Sequence, residues 1–221
     1  MEALTLAGSP GNVTPEVTWH GTWQNETAPA YQEANILDHP AYWKAISDIF
    51  LPFSKGKHMA DLGCAGGKLS TFLQAACCTN VDPCPPDDAE NVVKMDGVAY
   101  LQTLENNSLD LVTVTVAIHH MDRAALEHEL ARVLKPDGRA IYVSLSPSSN
   151  IFGGDSFNSM FFHHWAMRDA QCGLTDEPCQ AIIFERDITR DQFSTLVAKR
   201  AWSNLAVMPQ EKIDSMVAAI P

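Results

Sequence analysis

A chain of 221 residues with 46% hydrophobic and 19% charged content holds enough apolar material for one α/β domain with a buried core. Its formal net charge of −12, with no cluster of Lys and Arg to offset it, argues against nucleic acid or an anionic membrane surface as a partner and favours a small molecule. The opening MEALTLAGSPGNVTPEV lacks the basic start and apolar run of a secretion signal, and no later stretch approaches the ~20 apolar residues of a membrane span, so a soluble, cytoplasmic protein is expected. The six cysteines, at positions 64, 77, 78, 84, 172 and 179, show neither paired C-x-x-C spacing nor the density of a secreted scaffold and read as reduced thiols.

Residues 1–35 are rich in Gly, Pro, Asn and Thr and are predicted to form an extended arm or lid carrying Trp19, Trp23 and Tyr31. DHPAYWKAISDIF follows, with Asp38 as a cap and Tyr42, Trp43, Ile46, Ile49 and Phe50 at helical spacing. KHMADLG reads as a short buried strand, and the KLSTFLQAA beyond its glycines places Leu69, Phe72, Leu73 and Ala76 on one helical face. TNVDP predicts a second strand ending at Asp82, NVVKMD a third ending near Asp96, and LDLVTVTVAI a fourth running to Ile118. Such continuous apolar, β-branched runs suit parallel strands buried on both faces. DRAALEHELARVL is an amphipathic helix with Leu126, Leu130, Val133 and Leu134 inward; KPDG stops it, and RAIYVSLS is a fifth strand. The fold class is therefore α/β, a doubly wound and mostly parallel sheet with helices on both faces.

The core spans 36–146. Residues 147–221 form a looser region: a loop, a helix over MFFHHWAMRDAQ, a sixth strand within CGLTDEPCQAIIFER, and two closing helices. Thr189 and Gln192 make a capping-box pair ahead of Phe193, Leu196 and Val197, and Pro209 opens a run with Ile213, Met216, Val217 and Ile220.

The stretch DLGCAGG, from Asp61 to Gly67, sits between strand and helix. Glycine serves there where φ is positive and where the backbone must approach a ligand closely. A dinucleotide turn would want G-x-G-x-x-G, whereas this one reads Asp61-x-Gly63-x-Ala65-x-Gly67 with an acid at the strand end. A carboxylate beside the turn suits a ligand with a cationic amine, and Asp82, some twenty residues on, suits a ribose diol. With VDP, KMDG, SLDLVTVTVAIHHMD and ELARVLKPDGRAIYV in order behind it, the turn resembles the class I S-adenosylmethionine-dependent methyltransferases, over roughly residues 58 to 145. The lead into the fifth strand is similar to the small-molecule branch that includes the trans-aconitate and ubiquinone-type enzymes.

That resemblance implies S-adenosyl-L-methionine as cofactor and S-adenosyl-L-homocysteine as product. It implies that Asp61, Gly63, Ala65 and Gly67 hold the methionine amine and carboxylate, and that Asp82 accepts the ribose hydroxyls. Asp96 would face the adenine amino group with Gly97 and Val98 beside the ring, Ala117 and Ile118 would line the methionine arm, and Tyr31 of the arm would lie against the cofactor. His119 and His120, after the fourth strand, and His163, in the region that forms the acceptor pocket in the family, are candidates for a general base. A metal site built from positions 119, 120, 163 and 164 would need imidazoles converging on one ion, which nothing in their spacing enforces, so no metal is expected.

The family pattern has a final antiparallel strand beyond the sixth. No strand-like run remains before Pro221, and an open edge there would invite a second copy of the chain, a homodimer. The expected activity is transfer of a methyl group to an oxygen, nitrogen or carbon atom of a small acceptor. A regulatory subunit that binds the cofactor without transferring methyl, or a related fold catalysing a cyclisation, would keep the same cofactor motifs.

Overall fold

The computed structural model describes residues 39–143, 188–201, 205 and 208–220. Its centre is a five-stranded sheet in the order β3-β2-β1-β4-β5. The strands are β1 (His58–Leu62), β2 (Cys77–Asp82), β3 (Val92–Lys94), β4 (Leu109–Thr115) and β5 (Leu134–Val143), and every pairing is parallel. The central strands β1 and β4 are almost wholly buried, as their largely apolar sequences require. After β3 the chain crosses back to pair β4 with the other side of β1, so a topological switch point opens at the carboxyl ends of β1 and β4.

Helix α1 (Pro40–Ser54) buries Tyr42, Ile46 and Phe50 on one stripe, and Trp43, Ile49 and the β5 residues Ile141 and Val143 pack against that cluster. Its N-cap is His39, whose Nδ1 accepts the Ala41 N–H at 3.2 Å, rather than Asp38, which lies outside the described residues. Pro40 holds the first helical position, where its missing N–H costs nothing. Helix α2 (Gly97–Gln102), not anticipated from sequence, is capped by Asp96, and α3 (Arg123–Val133) by Asp122. Leu126, Leu130 and Val133 are buried under the sheet as the heptad spacing demands. Arg132 fastens α3 to the end of α2: its guanidinium donates to the carbonyls of Leu101 and Leu104, both at 2.7 Å, and pairs with the buried Glu129.

Three boundaries differ from the sequence reading. The helix expected over KLSTFLQAA is only a 3-10 turn, Leu69–Phe72; Leu69 is buried, but Phe72 and Ala76 are exposed. Ser70 Oγ and Thr71 Oγ1 donate to the carbonyls of Gly67 and Lys68, each at 2.7 Å, and claim groups that a longer helix would need. Gln74 is then pinned at the opposite edge by the Gly56 N–H, leaving the chain extended into β2. The fourth strand stops at Thr115 instead of Ile118, because Val116 turns into the left-handed region at φ 54. KPDG does not separate α3 from β5. Leu134 already pairs with Leu109, and the ladder skips Lys135 to Gly138 before resuming at Arg139, an irregularity inside β5.

Two more helices are described, α4 (Arg190–Ala198) and α5 (Gln210–Ala218). The Thr189–Gln192 capping box is formed in full, and Phe193, Val197, Ile213, Met216 and Ile220 are buried. Pro209 is the N-cap of α5. The sixth strand, the helix over MFFHHWAMRDAQ and the N-terminal arm lie outside the described residues, and so do Tyr31 and His163.

Candidate active site at the carboxyl edge of the sheet

At the end of β1 the chain turns through Gly63 at φ 69, Ala65 at φ 49 and Gly67 at φ 71. The turn is fastened to β2: the Gly63 and Cys64 N–H groups both donate to the Val81 carbonyl, at 2.8 and 3.2 Å. Asp82 completes the fastening. One of its carboxylate oxygens accepts the Ala65 N–H at 2.8 Å and the other accepts the Cys84 N–H at 2.8 Å. A left-handed alanine carries a steric penalty of about 1 kcal/mol, and the charge-assisted bond from Asp82 offsets it. The carboxylate keeps lone pairs beyond those two bonds and can accept from a ligand as well.

The glycines are required by contact as well as by φ. A Cβ on Gly63 would lie 2.3 Å from the Ala117 methyl, and one on Gly67 would lie 2.7 Å from the Asn80 amide nitrogen. The turn after β1 therefore packs directly on the turn after β4, and Asn80 of β2 braces it from behind, its amide donating to Ser70 Oγ at 3.1 Å. Gly97, at the start of α2, is less tightly packed: its Cβ would meet Leu62 and the Met121 methyl, both at 3.3 Å. Gly63, Gly97 and Ala117 thus converge around Met121.

Asp61 is buried at 1% exposure, and Thr113 Oγ1 of β4 donates to its carboxyl at 2.8 Å. Burial raises its pKa from 3.8 to about 7; the Thr113 hydroxyl works against that shift and the nearby Asp82 adds to it. Asp82 is also raised by burial, with the Cys84 and Ala65 N–H groups pulling it back down. The Cys64 thiol in the turn is pushed far up by burial and by the two aspartates, so it stays protonated and is no nucleophile.

Across the crevice, the Val116 N–H donates to the Val143 carbonyl at 2.7 Å, which holds this β-branched residue at its positive φ. A 3-10 turn, Ile118–His120, follows. Ala117 and His119 are buried, and the rings of His119 and His120 lie 4.0 Å apart at 46°. Ile118 is 1% exposed and belongs to the main core cluster with Leu62, Val114 and Leu126. Asp96 is exposed, and its carboxylate accepts the Ala99 N–H at 3.0 Å, whereas Gly97 and Val98 behind it are buried.

The structure thus gathers Asp61, Gly63, Ala65, Gly67, Asp82, Gly97 and Ala117 into one connected cradle. Sequence reasoning missed Thr113, Asn80, Val116 and Met121. Of the two hydroxyls in the otherwise apolar LVTVTV, Thr113 and Thr115, the first finds a buried partner in Asp61; the other three are fixed by tertiary contacts with no local signature.

A parallel sheet in this order, with a glycine turn after β1 and an acid closing β2, is the architecture of the class I methyltransferases. The methyltransferase-domain family matches residues 60–142. The uncharacterized methyltransferase Rv3342 of Mycobacterium tuberculosis (strain ATCC 25618 / H37Rv) is 30% identical over 190 residues, covering 79% of this chain and 69% of that protein. Mb3374, an uncharacterized methyltransferase of Mycobacterium bovis, matches equally, at 30% over the same share of each chain. A crystal structure described as a methyltransferase from an antibiotic biosynthesis pathway of Anabaena variabilis superposes with a TM-score of 0.54 at 16% identity, over 80% of this chain and 83% of that one, and shares the fold. The chain belongs to the methyltransferase family.

Proposed function

We propose that the protein is an S-adenosylmethionine-dependent methyltransferase acting on an oxygen, nitrogen or carbon atom of a small acceptor. The observation that carries this reading is the pair of buried aspartates bracketing the glycine turn: Asp61 at 1% exposure and Asp82 at 4%. The cradle fits this cofactor. A buried carboxyl with a single hydroxyl donor gains most from a cationic partner, and the cofactor's amino-acid end offers an ammonium group. Asp82, held by the turn it fastens, has acceptor capacity left for a diol.

When bound, the cofactor supplies a methyl group on a sulfonium, already a strong electrophile. The protein's part is then mainly proximity and orientation, which can account for several kcal/mol of barrier reduction. Asp61 and the backbone from Gly63 to Gly67 orient the amino-acid end, Asp82 the sugar, and Gly97 with Val98 the base. Ala117 packs against Gly63 at the crevice floor. His119 and His120 stand at the end of β4. With a hydroxyl or protonated amine as acceptor, one of them takes the proton; with a carboxylate acceptor no base is needed. The net charge of −12 favours a small acceptor over a nucleic acid.

The test is turnover: the full chain is incubated with methyl-labelled S-adenosylmethionine and pooled carboxylic acids, phenols and amines. Acceptor-dependent formation of S-adenosylhomocysteine is expected. Tight cofactor binding without product from any pool would instead favour a non-transferring binding subunit.

A further inference from the structure

Outside the cradle, α1 and the 3-10 turn Leu69–Phe72 enclose a cleft of about 400 Å³ lined by Pro40, Trp43, Lys44, Ser47, Lys68 and Phe72. None of the cradle residues lines it. Its volume falls within the ~300–1,000 Å³ typical of small-ligand sites. The wall is flat and aromatic: the rings of Trp43 and Phe72 stack with centroids 5.6 Å apart and planes 3° from parallel. Phe72 remains 38% exposed, a large apolar surface left open to the cleft. Two ammonium groups mark the rim. Lys68 Nζ stands 5.8 Å from the Trp43 ring centre, and Lys44, on the other side, is paired with Asp48.

The cleft also has a defined position along the sheet. Helix α1 ends at Ser54, close to the start of β1, and the Gly56–Gln74 bond fastens that amino edge. Fifteen helical residues rise ~22 Å, more than the ~16 Å of the five-residue β1. The Pro40 end of the cleft therefore reaches the carboxyl edge, and Lys68 directly follows Gly67 of the turn.

A flat aromatic wall selects a planar ring, since stacked and edge-on aromatic pairs gain energy beyond the area they bury. The Lys68 ammonium at its rim selects a ligand with a negative group, against the repulsion of a chain of net charge −12, and a ring-sized cleft limits it to a small molecule. We propose that this cleft binds an aryl carboxylate, its ring against Phe72 and Trp43 and its carboxylate at the Lys68 rim. The site uses no cradle residue and goes beyond the methyl-transfer reading.

The test titrates 2-naphthoate and its neutral counterpart 2-naphthylmethanol into the full chain saturated with S-adenosylhomocysteine, by calorimetry and ligand-observed NMR. The naphthoate should bind about fivefold or more tighter than the alcohol, a preference that Lys68→Gln removes. Phe72→Ser should weaken both ligands by about tenfold, the worth of one stacked aromatic contact. Both positions are exposed, and thermal melting confirms that the variants fold. Equal affinity for the two ligands, or unchanged binding in Phe72→Ser, would overturn the proposal. If S-adenosylhomocysteine itself fails to bind, the transferase reading falls, while the same naphthoate comparison on the unliganded chain still decides the cleft.

Discussion

The two banks of the crevice are built on opposite principles. The β1–β2 bank is relaxed: glycines occupy two of its three left-handed positions, and Asp82 gives one carboxylate oxygen to the Ala65 N–H of the turn and the other to the Cys84 N–H that follows β2. The β4 bank is strained, because its left-handed residue is Val116, for which that region costs roughly 1–3 kcal/mol. A preorganised bank suits binding, since its polar groups are already held in place. A tensioned bank suits positioning, since Val116 swings Ala117 onto Gly63 and leads directly into the Ile118–His120 turn.

The banks meet at one contact, and breaking it should have the largest effect. Gly63→Ala places a methyl 2.3 Å from that of Ala117 at a backbone φ of 69. Overpacking and the left-handed penalty together should cost about 2–4 kcal/mol of unfolding free energy and abolish cofactor binding. Denaturant melts with the midpoint unchanged would mean that the banks do not touch.

Within the relaxed bank, Asp61→Asn should weaken binding of S-adenosylmethionine by about tenfold, the loss of one partly compensated charge pair worth ~1.4 kcal/mol. Wild-type affinity should rise as pH climbs through about 7, where Asp61 ionises, and the variant should lose that step. Stability moves the other way. The folded protein holds the Asp61 proton more tightly than the unfolded chain, whose aspartates titrate near 3.8. This contribution is complete below that value and is lost as pH rises through about 7, with a slope on the order of 1 kcal/mol per pH unit. A stability that increases between pH 5 and pH 7 in wild type but not in Asp61→Asn would contradict the assignment.

The smallest effect belongs to the strained bank. Val116→Gly should leave stability equal or raise it by up to about 1 kcal/mol, since strain relief and added chain entropy nearly offset. It should lower kcat more than it changes KM, because the Ile118–His120 turn loses its fixed position. A loss of more than about 1 kcal/mol would show that the valine is not strained.

The parallel strands and most residues of the cradle could be read from the chain because they rest on local patterns. Apolar β-branched runs announce buried parallel strands, Asp61 and Asp82 sit at strand ends, and glycines punctuate the turn. The failures share a cause. Phe72 and Ala76 follow a helical period, but Ser70 and Thr71 hydroxyls capture the carbonyls first, so side-chain chemistry overrides the period. Val116 reads as one more strand residue, and only its bond to Val143 on a neighbouring strand reveals the turn. Thr113 acts across strands, on Asp61 52 residues away, and Asn80 reaches from β2 to Ser70 of the 3-10 turn, 10 residues away. The first pairing follows from register and the second from how the turn packs on the sheet, which no single segment encodes.

The most direct test of the account is calorimetric titration of S-adenosylmethionine and S-adenosylhomocysteine into wild type and Asp82→Ala, with melting curves to confirm folding. Micromolar binding by wild type that weakens about tenfold or more in the variant, ~1.4 kcal/mol, is the predicted result. Failure of the folded wild-type protein to bind either compound would contradict it.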